Sequence, residues 1–174
     1  MTMPPVTQAL CFEAMSRIKQ MNYYDRFLLP AERHIATHEL ASLEKEALPI
    51  LESLFNGSAK NKFGVPYNKI GATSCGYVAV KLLGAIAKPL EVYVRAGIEK
   101  DDNYAIEAAG YLWEIDQETA IALAKALVRN PASEAGASLL RCSKSENPEV
   151  IKIISSDPTA AKSIAKTKTY MSKT

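Results

Sequence analysis

Residues 82–127 read LLGAIAKPLEVYVRAGIEKDDNYAIEAAGYLWEIDQETAIALAKAL, and the spacing of their apolar positions decides the fold class. Asp116-Gln117-Glu118 places acids where the positive end of a helix dipole would lie. Beyond it Ala120, Leu123, Ala124, Leu127 and Val128 recur at helical spacing, with Glu118, Ala122, Lys125 and Arg129 opposite. That pattern predicts an amphipathic helix with one buried face. The preceding run carries two stripes, Ile106, Ala109 and Trp113 on one and Ala105, Ala108, Leu112 and Ile115 on the other. A helix there is expected to be covered on two sides, with Trp113 in the core.

The same shape recurs along the chain as AVKLLGAI from Ala79, AAGYLWEI from Ala108 and GASLLRCS from Gly136, at offsets of 29 and 28 residues. Helix pairs at a nearly fixed period are the signature of an α-solenoid, whose units bury their apolar faces against their neighbours. Asn130-Pro131, Asn147-Pro148 and Asp157-Pro158 each read as a helix start, because Asn or Asp caps free N–H groups and proline suits the first helical position. Toward the N-terminus, Thr7 can cap a helix through about Met21, and Pro30 can open another that runs toward Phe55 with a break at Pro49. Period-two patterns are nearly absent. The exception to the helical reading is Asn56 to Ser74, which has three glycines, one proline, three lysines and no acid. Connections this long inside a compact domain are more often functional than short turns are.

The stretch from Leu82 to Leu127 resembles short HEAT-like repeats, in which a small-residue helix ends in Leu-Gly-x-Ile and is followed by a turn, an amphipathic helix and an acidic turn. The resemblance covers roughly residues 74–156. It departs from the pattern at Ala105-Ile106, where such repeats often carry Val-Arg, and in a degenerate third unit with Arg141-Cys142-Ser143 in place of Gly84-Ala85-Ile86. It implies an all-α protein, a right-handed α-solenoid of short helix pairs with an irregular helical N-terminal part. A single domain over 1–174 is expected, with N-terminal helices to 55, a long loop at 56–73, repeats at 74–156, and a C-terminal helix and basic tail at 157–174. The resemblance also implies a binding surface and no chemistry. Helical-repeat proteins of this size are similar to bacterial immunity proteins, which neutralise a toxin by occluding it, so the partner implied is a toxin domain.

Composition agrees with a compact binder. A chain of 174 residues with 48% hydrophobic and 23% charged residues can bury a sizeable core. A net charge of +2 is too small to call for nucleic acid or a membrane as partner. No stretch reaches the ~18–20 apolar residues of a span, and the N-terminus lacks the pattern of a secretory signal. Cys11, Cys75 and Cys142 are odd in number and scattered, as expected of buried thiols in the cytoplasm.

His34 and His38 share a helix face and could give two ligands to zinc, but no third histidine exists, and His-Glu-x-x-His is absent. A metal-dependent hydrolase at this pair is therefore the weaker alternative. Neither a phosphate-cradling G-x-x-x-x-G-K-[ST] nor a G-x-S-x-G elbow is present, so no enzyme, cofactor or metal is expected.

Charge is segregated. Glu91 to Glu118 holds eight acids against Arg95 and Lys100, while Lys152 to the C-terminus holds five lysines against Asp157. An acidic rim can speed encounter with a basic partner, and tyrosines beside it supply anchors. The expected contacts are Asp101, Asp102, Tyr104, Glu107, Tyr111 and Glu114, with Lys60, Lys62 and Tyr67 of the 56–71 loop as a second surface. A monomer or weak homo-oligomer is expected. The rival reading is nucleic-acid binding through Lys60, Lys62, Lys69 and the terminal lysines.

Overall fold

The computed structural model describes residues 21–142 and 147–172, so the helix expected from Thr7, and Cys11 with it, lies outside the described residues. Regular structure among the described residues is helical, apart from one isolated bridge between Lys60 and Pro66. The helices are α1 (Tyr23–Leu28), α2 (Arg33–Ala41), α3 (Ala47–Phe55), α4 (Thr73–Leu83), α5 (Glu91–Glu99), α6 (Asn103–Ala109), α7 (Gln117–Arg129), α8 (Ala135–Cys142), α9 (Pro148–Ser155) and α10 (Pro158–Met171). No helix among them is long and apolar enough to cross a membrane.

Several helix starts follow from single capping side chains. Asp102 accepts from the Tyr104 and Ala105 N–H groups, Asp116 from Thr119, Asn147 from Glu149 and Val150, and Asp157 from Thr159 and Ala160. Pro148 and Pro158 open their helices as expected. Asn130-Pro131 does not: Asn130 is the C-cap of α7, and the next helix begins at Ala135. The break expected at Pro49 lies earlier, at residues 42–46, where Glu44 turns to φ 53°. Pro49 then sits in the first turn of α3, where an N–H would have had no helical partner.

The helices pack in two rows. In one, α2 packs on α4, α4 on α6, α6 on α8 and α8 on α10; in the other, α5 packs on α7 and α7 on α9. Buried alanines, among them Ala79, Ala105, Ala108, Ala122 and Ala124, let the backbones approach closely. Because Ala122 and Thr119 are buried along with the expected stripe, α7 is covered around most of its circumference instead of on one face. Gly97 marks a tight crossing, where a Cβ would stand 2.6 Å from the Ala105 Cβ and against the Tyr77 hydroxyl.

Polar side chains also tie neighbouring helices together. α6 is short, and two of its last carbonyls are met from α8: Ser138 donates to Ile106 O at 2.6 Å, and the Cys142 thiol to Ala109 O. Cys75 and Cys142 are both buried. Burial, aided by the charge of Glu91, pushes the Cys142 thiol up to about 11, which keeps it protonated and unreactive.

Candidate functional site

The acidic segment offers less free charge than its composition suggests. Asp101 pairs with Arg129 at 2.8 Å, and Asp102 spends its carboxylate on the cap of α6. Glu107 receives the Lys81 ammonium at 2.6 Å and holds it above its ordinary pKa. Arg95 bridges Asp116 at 2.9 Å and Glu118 at 3.2 Å. Glu91 is buried, accepts from the Asp116 N–H at 2.7 Å and pairs with Lys88, whose ammonium also donates to the Glu114 carbonyl. Burial alone would raise the Asp116 carboxyl, but hydrogen bonds from Thr119 and Arg95 outweigh it and hold it below the usual carboxylate range. Most of these acids fasten one turn of the scaffold to the next.

The segment also presents aromatic side chains to solvent. Tyr104 is 52% exposed at the start of α6. Tyr111 is half-buried, with the cations of Lys81 and Arg141 each 5.0 Å from its ring centre. Trp113, expected in the core, is 67% exposed. The backbone explains the difference: α6 stops at Ala109, and Trp113 and Glu114 take φ values of 53° and 25°, which carry the indole off the buried stripe. In the 29-residue register Trp113 matches Gly84, whose φ is 58°. The neighbours match too, for Leu112 and Leu83 are both buried, and Ile115 and Ile86 both half-buried. For a bulky residue this region of φ is a genuine outlier.

The loop corrects the second expected surface. Tyr67 is a core residue at 2% exposure, its ring stacked 5.0 Å from that of Tyr24 and its hydroxyl donating to Asp25 at 2.6 Å. Lys60 and Lys62 are exposed as expected. Further along, Asn68 and Lys69 join Lys100 and Asp102 in lining a cavity of about 310 Å³, so the loop and the start of α6 share one cleft. Its aromatic lining is Phe55, stacked on Tyr77 at 5.0 Å and on Tyr93 at 5.8 Å. Burial, with a smaller push from Asp102, raises the Tyr77 hydroxyl to about 12. Sequence reasoning missed these three rings, which come from α3, α4 and α5. The available signal was Gly76, where a Cβ would stand 2.8 Å from Leu54 and 3.0 Å from Phe55.

His34 and His38 are exposed, with ring centres 4.2 Å apart and His38 Nδ1 3.0 Å from the His34 carbonyl oxygen. Among the described residues no group of three or more His, Cys, Asp or Glu side chains is placed to hold a metal ion. Comparison with protein-family models, with curated proteins and with solved structures finds no match to the chain.

Proposed function

We propose that the chain is a right-handed α-solenoid of HEAT-like helix pairs that works by binding another protein, in the manner of an immunity protein that occludes a toxin. The two alternating rows of helices and the equivalence of Gly84 with Trp113 support the repeat reading. One observation carries the binding reading: Trp113 is exposed on a strained turn beside Tyr111 and Glu114. Strained backbone concentrates at functional sites, and tryptophan is the side chain most enriched among residues that dominate interfaces. The binding surface then runs along the exposed side of α6 from Tyr104 through Glu107 to the 111–114 turn, with the ion pairs of Asp101 and Glu107 fixing register more than supplying affinity.

The test is capture from source-cell lysate on two baits, the natural chain and Trp113→Ala, at low and moderate salt. One stoichiometric protein should be retained by the natural chain and lost from the variant at both salts. Equal capture by both baits overturns the assignment of the surface. Retention of nucleic acid that washes off at moderate salt overturns the protein-binding reading itself and moves the site to the lysines.

A further inference from the structure

The loop between α3 and α4 carries a second feature, independent of the Trp113 turn. Lys60 and Pro66 bridge, Asn61 N donates to Val65 O at 2.9 Å, and Gly64 N donates to Asn61 O at 2.9 Å. The Asn61 side chain accepts from the N–H groups of Phe63 and Val65 at 2.9 and 3.0 Å, which fixes the tip in one shape. At its apex Phe63 is 78% exposed, the highest value among the exposed large hydrophobic side chains of the described residues, and a Cβ added at Gly64 would meet nothing within 4 Å. The tip is therefore a small ordered projection that holds an aromatic ring clear of the molecule. Val65 and Ile70 are also exposed, as are Lys60, Lys62 and Lys69, and the sequence from Asn56 to Ser74 has no carboxylate.

We infer that this tip docks the protein on an anionic bilayer surface, with Phe63 entering the interface and the three lysines at the level of the headgroups. A convex apex with one ring at its summit suits a deformable phase, whereas a rigid protein partner would need a matching pocket. Amphipathic surfaces bind bilayers by burying apolar side chains to the acyl boundary while basic residues meet anionic headgroups. The lysine next to the ring matches that division: the Lys62 ammonium sits 5.1 Å from the Phe63 ring centre, close enough to follow it to the surface. Weak net charge does not oppose the inference, because the attraction acts within a Debye length of the tip.

The experiment is co-sedimentation of the full chain with phosphatidylcholine vesicles and with vesicles carrying about one-third phosphatidylserine, an anionic fraction of the kind that draws polybasic segments. Binding should appear only on the anionic vesicles and weaken with salt. Phe63→Ala should lower partitioning about tenfold, the effect of losing one buried aromatic ring. Lys60→Glu with Lys62→Glu should lower it at least about 25-fold, near fivefold per lysine. Each variant is exposed and should keep the natural thermal midpoint, which separates lost docking from lost folding. Phe63→Trp in a Trp113→Phe background gives a second readout, an emission blue shift on anionic vesicles only. Absence of binding to either vesicle, equal binding to both, or binding that survives Phe63→Ala unchanged overturns the inference. So does capture of an acidic protein that depends on Phe63 when vesicles do not bind.

Discussion

Gly84 and Trp113 lie 29 residues apart, at matching positions of the sequence register, and both turn the backbone into the left-handed range of φ. At Gly84 that demand falls on a residue with no Cβ to strain. At Trp113 it falls on the bulkiest of side chains, which then stands in solvent. Folding accounts for the first arrangement and not for the second. An exposed tryptophan in strained backbone is unfavourable on both counts, so the contrast separates what the scaffold requires from what a surface requires.

The comparison breaks first at Gly84. Its φ of 58° and ψ of −127° belong to a region that is essentially glycine's alone, so Gly84→Ala should cost about 2–3 kcal/mol, seen as a lower urea midpoint at unchanged slope. A neutral result would mean that the first turn is not under the constraint assigned to it. Next comes Glu91, which ties the start of α5 to the turn before α7 through the Asp116 N–H. Glu91→Ala should cost about 2 kcal/mol by leaving that N–H without its acceptor, and Glu91→Gln, which keeps one, about half as much. Equal losses would show that charge and not the hydrogen bond joins the turns.

Trp113→Gly sharpens the comparison by giving position 113 the residue of position 84. Stability should rise by about 1 kcal/mol as the left-handed strain is relieved, while partner affinity falls at least about tenfold. A variant that loses both would return Trp113 to a structural role. The smallest effect is in acid. The folded Asp116 carboxyl titrates below its unfolded value, so its stabilisation is fully present above about pH 4 and disappears as pH falls through the folded pKa. Asp116→Asn should therefore lower stability slightly in the neutral region and flatten the acid limb of a plot of stability against pH, the two curves converging below the folded pKa.

Local chemistry made much of this fold legible. The caps at Asp116, Asn147 and Asp157 act within three residues of themselves, so the chain displays them directly, whereas Asp102, expected as a contact, is a cap. The 29-residue spacing is matched in burial at single positions, for Leu83 and Leu112 are both buried. Misreadings arose where the deciding contact is remote or the backbone leaves its pattern. Asn130-Pro131 has the composition of a cap but stands at the end of α7. Trp113 fits the apolar stripe only if the helix continues, whereas it ends at Gly110, the C-cap of α6, three residues earlier. Tyr67 sits in a polar loop, yet its partner Asp25 is 42 residues away. The cleft of Phe55, Tyr77 and Tyr93 was hidden for the same reason, each ring belonging to a different helix.

The burial of α7 has a consequence in time. This helix touches α5, α8, α9 and α10 at once, so it cannot loosen until contacts in both rows have been given up. Its interior amides should exchange with solvent hydrogen only through global opening, while those of the Lys60–Ile70 tip and of α10 exchange through local fraying. The molecule has a slow centre and quick ends, and a partner held at the Trp113 turn, which leads into the first residues of α7, grips it at the part that opens last.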